Sequence, residues 1–342
     1  MRLGVRDAWQ ARSAEVPLDE IPPSMTAAVI DGTGDPSVLH TASGPVPAPT
    51  GSEFLVRVVA AGVNPLDAKT RAGDGVASAI AAYPAVLGQD FSGVVVRSPY
   101  EAHPLRPGTE VYGVVPVPRY SGSYAQYIAV PSLSVARKPP TLSHVEAAAV
   151  PVAALTAWGM VVELAKAHDG QRILIHAGSG GVGHFAVQFA KYFGAHVTAT
   201  GSTRNLEWLR ELGASVAIDH TTTRFEDVVG EVDAVIDLVG NVGGDTGSRS
   251  LRVLRPGGLI VNAPTGSWPT LLDEAEAAGV RATTYRVAPD GDTLSTITRL
   301  LEAGDVKVFV DRVFDLADAA AAHEALEDGH TRGKLVLKVA DS

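Results

Sequence analysis

Six consecutive residues, Gly178-Ser179-Gly180-Gly181-Val182-Gly183, have the spacing G-x-G-x-x-G within "RILIHAGSGGVGHFAVQFAK". They follow a short apolar run and open an amphipathic segment that stops at Gly194. Glycines at those three places permit a tight turn, close approach of a pyrophosphate, and close packing of a helix on a strand. The helix N-terminus adds free N–H groups and the positive end of its dipole. A strand before the motif and a helix after it are the context in which it reports a dinucleotide. Gly178, Ser179, Gly180, Gly181, Val182 and Gly183 are therefore assigned to the pyrophosphate. The next strand, "HVTATGSTRN", carries no carboxylate from His196 to Asn205. Gly201 stands where an acid would bond both ribose hydroxyls. Ser202 and Arg204 follow, and a hydroxyl with a guanidinium suits a 2′-phosphate. The expected cofactor is NADPH. The structural alternative is Ser202 as a helix cap with Arg204 in solvent.

The elements around the loop set its frame. From about 150 onwards strands and helices alternate: "RILIH", a helix ended by Gly194, "HVTAT", a helix ended by Gly213, then "SVAID", "DAVIDLVG" and "GLIVNA", with a helix around 246–254. That order predicts a parallel, doubly wound sheet. Val239 and Gly240 end its fourth strand, where a dinucleotide crosses the sheet. Residues 25–148 read differently. Short β-like runs such as "FLVRVVAAGV", "FSGVVVRS" and "SYAQYIAV", cut by Gly and Pro, predict a small β-barrel or sandwich. Ser143 is a candidate N-cap, and Pro151 separates two helices. Helices are expected at about 291–303 and 317–327, followed by a strand "KLVLKV". The expected organisation is an extension (1–24), a barrel part (25–148), a nucleotide-binding part (149–286), and a C-terminal part returning to the barrel (287–342).

Composition narrows the function. The chain has 342 residues, 46% hydrophobic and 19% charged, with a formal net charge of −10 and no cysteine. Thiol catalysis, disulfides and cysteine-ligated zinc are excluded. An acidic chain is a poor fit to nucleic acid or anionic lipid. No apolar run reaches the roughly 18–20 residues of a membrane span, and the N-terminus lacks the apolar core of a secretory signal. A soluble, cytoplasmic protein without nucleic-acid or membrane partners is expected.

Several blocks, in order, resemble the medium-chain dehydrogenase/reductase superfamily in its zinc-free quinone oxidoreductase branch: "AGVNPLDAKTRAG", "PAVLGQDFSGVV", "GSYAQYIAV", "AAAVPVAALTAW", "HAGSGGVGHFAVQFAK" and "GHTRGKLVL". The resemblance spans about Met25 to Val339. It implies an α/β protein with a GroES-like β-barrel and a Rossmann domain, an active site in the cleft between them, and a homodimer. Where zinc members carry ligands, this chain has Asn64 and Gln89. No metal is expected. Hydride delivery to an already electrophilic carbon remains, as in quinones and enones.

The resemblance also assigns residues. Lys69 matches the position of a lysine beside nicotinamide and substrate carbonyl in alkenal/enone reductases. An ammonium there would stabilise the enolate formed when the β-carbon accepts hydride. Asn64 would face the same cleft or hold a turn before Pro65. Tyr83 is a candidate proton donor or pocket wall, with aromatic packing as the alternative. Thr156 matches a threonine beside the nicotinamide; the alternative is a hydroxyl bonding its own helix backbone. His220 replaces a tyrosine near the adenine, and Lys334 is a candidate ligand of the cofactor phosphates. An enoyl reductase of a biosynthetic pathway and a non-catalytic NADPH-binding regulator are the competing functions.

Overall fold

Strand β16 (Lys334–Lys338) explains how the chain closes on itself. Its apolar residues are consecutive, not alternating, because both faces are covered. Leu335 and Leu337 enter one core with Phe54, Phe91 and Ile128, while Val336 packs with Ala60, Ala148 and Ala149 on the other side. It pairs antiparallel with β3 (Glu53–Val63), Leu335 opposite Val63. The last strand of the sequence is thus built into the first half of the chain.

The computed structural model describes residues 21–118 and 121–341. Most of the expected extension, 1–24, lies outside these. The barrel half contains β1 (Ser24–Ile30), β2 (His40–Pro45), β3, β4 (Ala85–Val86), β5 (Asp90–Arg97), β6 (Glu110–Val114), β7 (Tyr127–Pro131) and β8 (Val135–Arg137). A small sheet has the order β2-β1-β4. The large one runs β15-β16-β3-β5-β6-β8, with β15 spanning Val310–Asp315 and β7 also pairing with β3.

Helix α1 (Pro65–Ala72) leaves β3 directly. Pro65 takes its first turn, where no N–H is needed, and Gly73 ends it at φ +105°. Ser143 caps α2 (His144–Ala148) as expected. Its hydroxyl accepts from the Glu146 N–H at 3.2 Å, and Glu146 accepts from the Ser143 N–H at 2.8 Å. Pro151 opens α3 (Pro151–Trp158).

The second half is the expected parallel sheet. Its strands are β9 (Arg172–Ile175), β10 (His196–Gly201), β11 (Val216–Asp219), β12 (Val232–Asp237), β13 (Leu254–Asn262) and β14 (Arg281–Thr284), in the order β11-β10-β9-β12-β13-β14. Helices α4 (Gly183–Tyr192), α5 (Leu206–Glu211), α6 (Thr246–Ser250) and α7 (Leu271–Ala277) make the crossovers. Strand order reverses between β9 and β12, so the loops after them flank a crevice at the carboxyl edge. Helix α8 (Gly291–Ala303) lies at the seam, with Leu294, Ile297 and Leu301 in one core with α3 and α4 and with Tyr112 and Ala136 of the barrel strands. The chain then re-enters the barrel through β15, α9 (Ala319–Glu327) and β16.

Candidate active site in the cleft between the two halves

The glycine loop has the shape its sequence suggests, and each glycine has a separate reason. A Cβ on Gly178 would lie 3.0 Å from Ala199 and Leu209, inside the turn. One on Gly183 would lie 2.1 Å from the Ala177 carbonyl, where α4 packs on the strand end. One on Gly180 would meet only the Ala177 carbonyl, at 3.4 Å, so its outer side is open to a ligand. The N–H groups of Gly178 and Gly180 are used within the fold, on Thr200 and Ala177 carbonyls. Those of Ser179, Gly181 and Val182 have no acceptor among the described residues. Unpaired donors at a helix start, with room for an approaching phosphate, fit a dinucleotide pyrophosphate. His176 and His184 flank the loop, and burial holds both neutral, pushed down to about 4. They brace it: His176 contacts Thr200 and Ser250 hydroxyls, and the His184 ring bonds the Gly180 carbonyl.

At the far end of β10, Ser202 precedes a short 3₁₀ turn but makes no side-chain cap; its hydroxyl accepts from Asn205 at 3.1 Å. Asn205 also bonds Ser179, tying this corner to the glycine loop. Arg204 is exposed, and its guanidinium donates to the His330 carbonyl of the C-terminal tail. His220 is exposed and lines a groove of 430 Å³ at the carboxyl edge of β9, β10 and β11, together with His176, Thr200 and Val239. Sequence reasoning missed Arg249 in this groove. Glu226 holds it with both carboxylate oxygens, at 2.8 and 3.0 Å, and its guanidinium lies 5.0 Å from the Phe225 ring centre. Burial opposes ionisation of Glu226, yet hydrogen bonds from Arg249 and Arg224 bring it down to about 2. Val239 and Gly240 give their N–H groups to Asp237, at 3.0 and 2.8 Å, so they shape the crevice and have no donor to spare.

The reacting end is set by α1. Lys69 is half-buried, and its ammonium reaches 3.4 Å from the Thr265 carbonyl, across the cleft from barrel half to nucleotide half. Two residues before it, Asp67 accepts from the Asn64 N–H at 2.9 Å. Burial pushes the Asp67 carboxyl up to about 7; the Asn64 N–H opposes the rise and the neighbouring Asp90 charge adds to it.

Three assignments need correction here. Asn64 does not turn its amide freely to the cleft. It is 3% exposed, with Nδ2 donating to Asp90 at 2.9 Å and Oδ1 accepting from Lys334 at 2.5 Å. Lys334 does not point its ammonium at the glycine loop. Only its stem passes there, Cδ lying 3.0 Å from where a Gly181 Cβ would be, while Nζ is buried on Val63, Asn64 and Asp90. Three oxygen acceptors, one of them a carboxylate, take its three protons in the buried seam. Tyr83 is 44% exposed, makes no hydrogen bond among the described residues, and is absent from the walls of the 210 Å³ cavity that its neighbour Pro84 helps line. Thr156 donates to the Val152 carbonyl at 2.6 Å, as a helix-interior hydroxyl does, and keeps its acceptor capacity. No group of three or more His, Asp or Glu suited to a metal ion occurs among the described residues.

A parallel nucleotide-binding sheet joined to a barrel that the C-terminus re-enters, with a dinucleotide cradle at the junction, defines the two-domain dehydrogenase class. Residues 50–140 match the alcohol dehydrogenase GroES-like domain, and residues 212–337 match the zinc-binding dehydrogenase domain. The chain is 36% identical to a 2-methylene-furan-3-one reductase of Solanum lycopersicum, over 98% of this chain and 84% of that protein. It is 36% identical to an NADPH-dependent alkenal/one oxidoreductase of Arabidopsis thaliana, over 93% and 80%. The solved quinone oxidoreductase of Coxiella burnetii superposes with a TM-score of 0.87 at 37% identity, covering 93% of this chain and all of that one. The chain belongs to the medium-chain dehydrogenase/reductase superfamily.

Proposed function

We propose that the protein is a zinc-independent, NADPH-dependent oxidoreductase that reduces quinones or α,β-unsaturated carbonyls. The observation that carries this is Lys69: a cation on the barrel helix that spans the cleft to the nucleotide half. The relatives reported above, an alkenal/one oxidoreductase, a furanone reductase and a quinone oxidoreductase, support the same chemistry.

NADPH, when bound, supplies the hydride. The amides of Ser179, Gly181 and Val182 would hold its pyrophosphate, and Arg204 with Ser202 its 2′-phosphate. His220 and Arg249 would flank the adenosine. At the reacting end the Lys69 ammonium offsets the negative charge that builds on the substrate carbonyl oxygen as the β-carbon is reduced. Such a preorganised charge acts on the transition state more than on the neutral substrate. Water then protonates the enolate at the α-carbon, so no dedicated acid is needed. At the places of the zinc ligands, Asn64 is committed to Asp90 and Lys334, and chelators are expected to leave activity unchanged. A homodimer belongs to the same proposal. Among the described residues β14 is an edge strand with one side of its ladder open, and sedimentation is expected to give twice the chain mass.

The test is anaerobic consumption of NADPH, and separately of NADH, against a panel of small quinones and enones. Turnover with NADPH in preference to NADH supports the proposal. Binding of NADPH without turnover on either acceptor class would replace it with a regulatory role.

A further inference from the structure

The Lys334–Asp90 pair is unused by the chemistry above, and its placement is unusual. Both residues are buried, Lys334 to 4% exposure and Asp90 to none. All three ammonium protons have acceptors: the Val63 carbonyl at 2.9 Å, Asn64 Oδ1 at 2.5 Å and Asp90 Oδ2 at 3.1 Å. The same Asp90 oxygen accepts from Asn64 Nδ2 at 2.9 Å, and the other takes the Val152 N–H at 2.6 Å. Asn64 precedes the first residue of α1, and Val152 lies in the first turn of α3. One ion pair therefore fixes the starts of the two helices that carry Lys69 and Thr156.

The lysine is also tied to the cofactor cradle. The Gly333 N–H donates to the Ser179 carbonyl at 2.9 Å. The lysine stem lies against Gly181, whose missing Cβ leaves it room. A single side chain thus runs from the loop to Asn64. A buried ion pair contributes little net stability compared with an apolar pair of the same shape, so stability alone does not account for it. What it gives is a fixed register between three segments far apart in sequence.

We propose that Lys334, paired with Asp90, is a positioning residue that couples the glycine loop to helix α1, so that an occupied cradle sets the placement of Lys69. Its consequence for turnover rests on the function proposed above; the coupling does not.

The test uses the full-length protein and the double variant Asp90→Asn/Lys334→Met. Removing both charges leaves no unpaired buried ion, and an amide oxygen at 90 still accepts from Val152. NADPH affinity is measured by fluorescence titration, and hydrogen exchange of residues 65–72 is followed with and without NADPH. In the wild type, NADPH is expected to slow exchange in α1. In the double variant, the affinity is expected to stay within about threefold, as for a pair whose replacement is near neutral, while the α1 response disappears. With an accepted substrate, kcat is expected to fall about tenfold at unchanged substrate KM, as a displaced reacting group implies. Loss of NADPH affinity beyond about threefold would overturn the proposal, because the pair would then act on cofactor binding itself rather than on the placement of α1. An α1 response that persists in the variant, or is absent in the wild type, would overturn the coupling. If no acceptor is turned over by the wild type, the enzymatic proposal fails, and the exchange measurement still decides this one.

Discussion

At the phosphate end of the cleft, residues 178–183 offer backbone: three amides without partners among the described residues, one open glycine face, and a helix start. At the reacting end, Asn64, Lys69, Asp90 and Lys334 offer side chains drawn from positions up to 270 residues apart. The first end is built mostly from contiguous backbone, braced by nearby side chains such as Asn205 and His184. The second is assembled across the seam, so it depends on how the two halves meet. Binding and chemistry should therefore respond separately to mutation.

Lys69→Ala should show the largest separation. We expect kcat for enones to fall by about 10²- to 10³-fold, the usual cost of one oxyanion-stabilising group, with NADPH affinity unchanged. Steady-state kinetics beside a binding titration checks this, and a parallel loss of affinity would dissolve the distinction between the ends. Gly183→Ala is the converse. Its Cβ would sit 2.1 Å from the Ala177 carbonyl, and overpacking of this kind costs about 2 kcal/mol. Lower stability with weaker NADPH binding is expected in urea melts and titrations.

Arg204→Ala should act within the phosphate end alone. Loss of one charged hydrogen bond to the 2′-phosphate predicts about a tenfold rise in the NADPH dissociation constant, with that of NADH unmoved. Equal weakening of both would place Arg204 away from the 2′-phosphate.

The two ends also differ in the pH dependence of stability, where they carry opposite signs. Asp67 keeps its proton up to about 7 in the native state, against 3.8 ordinarily. The native state binds the extra proton between those values, so this contribution falls as pH rises from about 4 to about 7. His176 and His184 are pushed down to about 4 from 6.5, so the unfolded chain binds more protons there and their contribution rises with pH across that window. Asp67→Asn should therefore gain stability relative to wild type as pH rises from 5 to 8, read from urea midpoints. A flat difference would show that Asp67 is ionised throughout.

The same contrast explains what the sequence could tell. The glycine loop, the Ser143 cap, the Pro151 boundary and the limits of α8 are contiguous signals, and all were legible. Strand β14 and helix α7 carry no such signal. "RATT" is a polar edge strand without alternation, and "LLDEAEA" is short and heavily charged. The role of Asp90 is not legible beside Gln89, because its partners Asn64, Val152 and Lys334 all lie far from it in sequence. The stem of Lys334 lies against the glycine loop but its ammonium does not serve it, because the position of a lysine in the chain does not say where four methylenes carry its charge. Arg249 depends on Glu226, 23 residues earlier, and no periodicity joins them.

The central claim is that the cleft delivers hydride to the β-carbon of a conjugated carbonyl while Lys69 balances the oxygen. The most direct measurement is reduction of a simple enone with NADPH deuterated at the transferring position, followed by mass and NMR analysis of the product. One deuterium at the β-carbon and a solvent proton at the α-carbon is the predicted result. Deuterium at the carbonyl carbon, giving the allylic alcohol, would contradict it.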